Sequence, residues 1–429
     1  MSQPMSQPTS QIAELMRRVV RPGTPVRFRA YDGSESGPDD APATIAVTDP
    51  RAFNYLALAP GELGLARAYV AGYLDVDGDL LHALRTLART RIGDVAWPDR
   101  IGVLRALGPS VLRPIPPPPE EIRSRRWLGA RHSLRRDAQA ISHHYDVSNR
   151  FYERLLGPSM TYTCAVYPSE AAGLDEAQEE KLDLVCRKLD LRPDERLLDV
   201  GCGWGSMVVH AARNYGVRAL GVTLSREQAG WAQRRIDDLG LTGRAEVRFA
   251  DYRSVTETGF DAISSIGLTE HIGAANLPGY AKLLTSKLRP QGRLLNHCIT
   301  RPSTQTARRT DGFIDRYVFP DGELESVGTI VVALHDAGLE IRHEENLREH
   351  YARTCAAWGA NLDAHWDEVV AEVGLGRARV WRLYLAGSSL GFEQRRVELH
   401  QVLAVRSEAG VSGMPLRPDF SRRAVLADA

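Results

Sequence analysis

The chain has 429 residues, 43% apolar and 25% charged, and its 54 basic residues are balanced by 54 acidic ones. That length exceeds what one core usually supports, so two or three domains are expected, and the composition excludes a disordered or fibrous chain. Zero net charge removes the overall electrostatic footprint of a nucleic-acid binder, so no nucleic-acid partner is expected.

No apolar run reaches the roughly 18 residues of a membrane span, and residues 1–11 are polar, which predicts a cytoplasmic protein. Five cysteines (Cys164, Cys186, Cys202, Cys298 and Cys355) are scattered without CxxC spacing. They argue against a disulfide framework or a zinc site, and no metal is expected. Lys181, Lys188, Lys282 and Lys287 are the only lysines. Arginine suits phosphate forks, but a coding bias over the whole chain explains the imbalance as easily.

In chain order, residues 25–30 and 43–47 alternate apolar and polar side chains around a Gly/Ser/Asp-rich turn and read as a hairpin. Helical spacing follows over 50–59, 64–73 and 79–87, giving a small α+β domain over 1–112. The acidic run Asp75-Val-Asp-Gly-Asp79 has its glycine too early for a calcium loop, and no matching glutamate follows, so it reads as a polar turn. Arg113-Pro-Ile-Pro-Pro-Pro-Pro119 predicts a stiff extended spacer. Behind it, Arg123, Arg125, Arg126, Trp127, Arg131, His132, Arg135 and Arg136 face only Asp137 in opposition. Such a segment suits either an anionic membrane surface or a solvated helix face. Spacer and basic segment together span 113–140.

From residue 195 strands and helices alternate: strands over 196–200, 217–223, 245–250, 260–266 and 293–299, helices over 205–215, 225–239 and 277–288. Ser225 is placed as an N-cap and Gly240 as a stop. This rhythm predicts an α/β, mostly parallel, Rossmann-like sheet covered on both faces, within a domain over 141–406. A mostly helical insertion over 300–395 interrupts it before a late strand over 397–405. Residues 407–429 lack periodicity and read as a flexible tail.

Leu197-Leu-Asp-Val-Gly-Cys-Gly-Trp-Gly205 sets three glycines at alternate positions between a strand and a helix, where backbone can approach a ligand closely. Ser206 stands where a dinucleotide fingerprint needs its third glycine, and no phosphate-loop Gly-Lys-Ser/Thr follows. The loop resembles the first motif of class I S-adenosylmethionine methyltransferases. Thr223-Leu-Ser-Arg-Glu-Gln228 resembles the cofactor motif of the cyclopropane fatty acid synthase and mycolic acid methyltransferase family, in which glutamine replaces the usual acid. The resemblance continues through His144-Tyr-Asp-Val-Ser-Asn149, Met160-Thr-Tyr-Thr-Cys164, Glu270-His-Ile-Gly273, Leu295-Asn-His-Cys-Ile299, Phe319-Pro-Asp-Gly-Glu-Leu324 and His350-Tyr-Ala-Arg-Thr354.

That resemblance implies a class I S-adenosylmethionine methyltransferase fold and places Tyr162, Thr163, Gly201, Gly203, Thr223, Leu224, Gln228 and Ile266 around S-adenosylmethionine, with Asp251 and Tyr252 at its adenine. It gathers Cys164, Glu270, His297, Ile299, Tyr351 and Tyr145 around a bicarbonate ion, with His271 beside them. The implied reaction is attack of an isolated alkene on the sulfonium methyl, which leaves a carbocation in an acyl chain. Such a site must exclude water, tolerate positive charge and remove a proton. Proton loss from the new methyl closes a cyclopropane; a preceding hydride shift gives an exocyclic methylene instead.

The sequence departs from the family pattern at Thr269, where an aromatic residue usually precedes the glutamate, and at Asn296, where leucine is common. These changes resemble the branch making 10-methylene fatty acids, precursors of tuberculostearic acid, and a smaller Thr269 is expected to leave room for the hydride shift. With no flavin or nicotinamide fingerprint, reduction to a methyl branch would need a separate reductase. The N-terminal domain resembles that of long cyclopropane synthases, which implies phospholipid acyl chains as substrate and peripheral association with the inner face of the membrane. The sequence does not set oligomeric state, and a homo-oligomer is compatible with it. Cyclopropanation is the alternative activity, and an inactive lipid-binding protein the alternative of another class.

Overall fold

The computed structural model describes residues 12–20, 24–59, 61–88, 107–122, 148–304, 312–319 and 322–421. Tyr145, the start of its His144 motif and the arginine-rich segment over 123–137 lie outside them. Contacts divide the chain into two units: residues 1–124, 310–320 and 362–390 form one, and 125–309, 321–361 and 391–429 the other. A linear partition at 112 and 141 misses that residues 310–320 and 362–390 go with the N-terminal module.

The first unit holds a four-stranded sheet of β1 (Arg27–Ala30), β2 (Glu35–Ser36), β3 (Ala43–Val47) and β4 (Leu74–Gly78), in the order β2-β1-β3-β4. The expected hairpin is not what forms, because β1 and β3 pair in parallel while β2 takes the antiparallel place beside β1. The acidic run is likewise a strand rather than a turn. Leu74 and Val76 face the core and Asp75 and Asp77 alternate outward, a half-buried pattern that its acidity disguises. Phe28, Ile45 and Val76 stand in register across the sheet and share one buried cluster with Ala386. The proline spacer is extended but not free. Tyr55 donates its hydroxyl to the Pro116 carbonyl (2.6 Å), and Asn54 Nδ2 donates to the carbonyls of Ser110 and Arg113 (2.8 and 3.0 Å).

The second unit is built on seven strands: β5 (Arg196–Val200), β6 (Arg218–Thr223), β7 (Ala245–Phe249), β8 (Phe260–Ile266), β9 (Leu288–Thr300), β10 (Glu340–Asn346) and β11 (Glu398–Val405). Their order is β10-β11-β9-β8-β5-β6-β7, parallel from β7 through β9, with β11 antiparallel to both its neighbours. The order reverses between β5 and β8, and at such a switch point the carboxyl ends of the strands open a ligand crevice. One buried cluster on each face of the sheet, including Leu197 and Leu295 on one and Leu198 and Leu294 on the other, follows from strand alternation. Ser225 caps the helix Arg226–Asp238 as expected, its hydroxyl accepting from Gln228 N (3.2 Å). β10 interrupts the region read as helical. Within 407–421, Met414 and Phe420 lie against the core and Arg293 Nη2 donates to the Gly413 carbonyl (3.1 Å), while Val411 and Leu416 are exposed.

Candidate active site

Five strand ends converge on the crevice. After β5 the chain turns through Gly201, Gly203 and Gly205, with φ of 77°, 54° and 75°, values in the left-handed region that favours glycine. The amides of Gly201 and Cys202 both donate to the Val222 carbonyl (3.0 Å each), which ties the turn to β6. A Cβ added at Gly205 would come within 3.0 Å of Ala232 Cβ, whereas one at Gly203 would meet nothing within 4 Å. Gly205 is therefore small for packing, and Gly203 faces open space, as a cradle for a bound nucleoside requires. Ser206 is not a lost glycine but a clamp. Its hydroxyl donates to the Ser159 carbonyl (2.6 Å) and holds the segment that carries Tyr162 and Thr163 beside the turn.

At the end of β6, the Thr223 hydroxyl donates to Gln228 Oε1 (2.8 Å), so the buried amide is fixed with its NH2 group turned away from Thr223. Leu224, half-buried, lies between Thr223 and the cap. Asp251 follows β7 and accepts from Arg253 through backbone and guanidinium (2.8 and 2.7 Å), while Tyr252 packs edge-on to Tyr280. Ile266 ends β8, buried, opposite His297 in the sheet register. These residues lie at or just after the carboxyl ends of β5, β6, β7 and β8.

Two distant motifs meet above the sheet. The Ala165 amide, next to Cys164, donates to Thr354 Oγ1 (3.1 Å), and the Tyr167 amide donates to His350 Nδ1 (2.9 Å). The Cys164 thiol is buried and turned to the Ala165 carbonyl (3.2 Å). Burial raises its pKa well above the usual range, so it stays a neutral thiol. A run of aromatic rings crosses this region: Trp204 on Tyr152 (4.6 Å), Tyr152 on Tyr162 (5.9 Å), Tyr162 on Trp358 (5.1 Å), Trp358 on Tyr351 (6.1 Å) and Tyr351 stacked on Phe392 (4.5 Å). Ring faces attract positive charge.

Glu270 sits on the short turn Thr269–His271, buried, and its Oε1 accepts from the Ile299 amide (2.7 Å). Ile299, which the resemblance sets beside the ion, gives its amide to the carboxyl group of Glu270. Glu270 Oε2 is buried and has no partner among the described residues, and the same holds for His297 Nε2. Burial pushes the Glu270 pKa up to about 7 and holds the His297 imidazole well below its ordinary range, so the histidine is neutral. Two orphaned polar atoms, one on a carboxyl near its midpoint at neutral pH, fit a small oxyanion. His271 is half-buried on the same turn. No cluster of metal-ligating side chains occurs among the described residues.

The two departures from the family pattern bind each other. Asn296 Nδ2 donates to Thr269 Oγ1 (2.6 Å), and Cys298 Sγ donates to Asn296 Oδ1 (3.2 Å). By strand alternation Asn296 and Cys298 lie on the face of β9 opposite to His297, so the Thr269 hydroxyl points into the sheet and braces the Glu270 turn. Replacing Thr269 by valine leaves the Asn296 Nδ2 donor buried without its acceptor, and replacing Asn296 by leucine removes that donor from Thr269 Oγ1; each should cost about 1–3 kcal/mol. The double variant should cost less than the sum, as read by denaturant unfolding of all four proteins.

Sequence reasoning missed Lys181, Lys188 and Gln401. Lys181 and Lys188 lie two turns apart on one face of the helix Leu174–Leu189, and each is only 1% exposed. Lys181 Nζ donates to Thr163 Oγ1 (3.0 Å), and burial brings its pKa down to about 8. The available signal was scarcity: four lysines in an arginine-rich chain, two of them seven residues apart.

A model of the family described as mycolic acid cyclopropane synthetase matches residues 132–402. The chain belongs to that family. It is 53% identical over 420 residues to a Mycobacterium tuberculosis protein named "Probable fatty acid methyltransferase Rv3720", covering 95% of this chain and 97% of that one. With the cyclopropane-fatty-acyl-phospholipid synthase of Escherichia coli strain K12 it shares 32% identity over 366 residues, 85% of this chain and 88% of that one. Among solved structures, mycolic acid cyclopropane synthase CmaA1 complexed with SAH and CTAB superposes with a TM-score of 0.59 at 30% identity, covering 62% of this chain and 98% of that one. The family member described here is accordingly an S-adenosylmethionine-dependent methyltransferase acting on lipids, with a class I Rossmann-like fold.

Proposed function

We propose that this family member transfers a one-carbon unit to the double bond of an unsaturated acyl chain, such as oleoyl, in a membrane phospholipid, and releases a 10-methylene acyl chain. The observations that carry the reading are the buried, unpartnered atoms Glu270 Oε2 and His297 Nε2 and, in the same unit, the run of aromatic rings through Tyr162, Trp358 and Tyr351. Methylation of a lone-pair nucleophile needs one general base; an alkene needs a dry, ring-lined chamber and a proton acceptor that acts after the cation forms.

S-adenosylmethionine supplies the electrophilic methyl group. Gly203 leaves the space in which its backbone-proximal part lies, Thr223 and Gln228 hold its ribose side, and Asp251 and Tyr252 its adenine side. Tyr162, Trp358 and Tyr351 present ring faces to the acyl cation and exclude water. Bicarbonate, held by Glu270 and His297 with Tyr351, Tyr145 and the Cys164 amide, supplies the proton acceptor. His297, neutral, donates a hydrogen bond from Nε2, and Glu270 near its midpoint shares a proton with the ion.

The product reading rests on Thr269 and Asn296. Their bond points Thr269 into the sheet, so the turn before Glu270 carries no ring towards the chamber and is braced from behind. We propose that the acyl cation then lives long enough for hydride shift before the transferred methyl loses a proton. Incubation with S-adenosylmethionine bearing a CD3 group and oleoyl phospholipid should give a product that keeps two deuterons, with ozonolysis cleaving it at the branch carbon. Resistance to ozonolysis would identify a cyclopropane, the reading favoured by the named activity of the E. coli relative. A saturated branch keeping three deuterons would remove deprotonation of the methyl from the mechanism.

No helix among the described residues is long and apolar enough to cross a membrane. We propose that the protein meets phospholipid from the cytoplasmic side, through the basic segment over 123–137, and that any reduction of the methylene is the work of a separate reductase.

A further inference from the structure

A chain of three buried side chains ends on His297. Lys188 Nζ, 1% exposed, donates to Glu345 Oε2 (2.5 Å) and to Gln401 Oε1 (2.7 Å). Gln401, fully buried on β11 opposite His297 in the sheet register, places its Nε2 at 3.1 Å from His297 Nδ1. An ammonium group only donates, so the atom of Gln401 that faces Lys188 must be the oxygen. The amide nitrogen that faces His297 must then donate, and Nδ1 must accept. A neutral imidazole with Nδ1 accepting carries its proton on Nε2, the atom that has no partner among the described residues.

We infer that Lys188 and Gln401 are positioning residues that lock His297 in the Nε2–H tautomer, so that the ring offers the bound ligand a hydrogen-bond donor and never an acceptor. Lys188 sets the orientation of the Gln401 amide, the amide sets the tautomer, and Glu345 holds Lys188 from the other side. An acceptor at Nε2 would repel an oxyanion; a donor anchors it. The inference rests on the proposed role of His297 at the reacting centre, but the tautomer itself is measurable without turnover.

The test is nitrogen NMR of protein labelled at histidine, with His297→Gln identifying the His297 signals. The wild type at neutral pH should show His297 as the Nε2–H tautomer. Gln401→Glu presents an acceptor to Nδ1 and should move the ring to the Nδ1–H or doubly protonated form. Turnover should then fall by at least ~10-fold while S-adenosylmethionine affinity and KM stay within about twofold. Lys188→Met releases the amide and should give a mixture of tautomers with an intermediate turnover, which keeps the test open if Gln401→Glu does not fold. An Nδ1–H tautomer in the wild type, a single unchanged tautomer in Lys188→Met, or a tautomer change that leaves kcat untouched would each overturn the inference. A wild type in the Nε2–H form that is inactive on oleoyl phospholipid would count against the proposed reaction instead.

Discussion

Glu270→Gln should reduce turnover by about 100- to 10,000-fold while leaving S-adenosylmethionine affinity unchanged. The glutamine can still accept from the Ile299 amide, so the turn keeps its place, but it cannot share a proton with an ion at the position of Oε2. The same substitution should stabilise the ligand-free protein at high pH. The carboxyl pKa lies near 7 in the folded chain against an ordinary value of 4.5, so between these the folded state binds more protons than the unfolded one. Stability then falls as pH rises through that window, by a few kcal/mol in all. A neutral amide carries no such penalty, and the Tm of the variant should exceed that of the wild type at pH 8 and converge on it below about pH 4.5. Calorimetry across pH together with lipid turnover reads both effects. Retained turnover would remove Glu270 from the chemistry, and a Tm difference independent of pH would contradict its raised pKa.

Gly203→Val should abolish cofactor binding in a protein that stays folded. The backbone there is left-handed, which costs an L-residue about 1–2 kcal/mol, yet a Cβ meets no atom within 4 Å. The side chain fills the space left for the ligand, and affinity should drop by at least ~100-fold, or about 2.8 kcal/mol. Gly205→Val is the contrast. Its side chain runs into Ala232 and Val247, and it should unfold the domain rather than only empty the pocket. Titration calorimetry beside thermal unfolding separates the two, and undiminished affinity in a folded Gly203→Val protein would refute the cradle.

How far the sequence could be read depended on whether a feature is local. The glycine turn, the Ser225 cap and six of the seven strands of the large sheet are written in contiguous residues, and they appear where spacing places them. β10 escaped because Arg342, His343, Glu344 and Glu345 let an edge strand pass as part of the helical insertion; with only β11 beside it, the strand has no buried row to advertise. The parallel pairing of β1 with β3 escaped because alternation marks a strand but not its direction. At the site, the resemblance named Glu270, His297, Thr223 and Gln228, which the fold sets at or near the carboxyl ends of β6, β8 and β9. It carried no information on the bond between Thr269 and Asn296, or on Lys188 and Gln401, which are 213 residues apart and meaningful only when the fold puts them side by side.

The path of the chain through its first unit limits how this enzyme can be cut or recombined. Arg379 donates to the Tyr69 carbonyl (2.9 Å) and to Asp75 Oδ2 (2.6 Å), Leu383 and Ala386 lie against the N-terminal core, and Arg67 and Arg316 share the buried Glu121 carboxylate. A shorter family member cannot be imitated by deleting residues 1–112, because the helix Leu375–Glu393 would lose the partners of its inward face and uncover apolar surface. An exchange of N-terminal modules between relatives has to carry residues 310–320 and 362–390 as well. The gene can be spliced at one point, but the folded unit is inherited in three pieces that must change together.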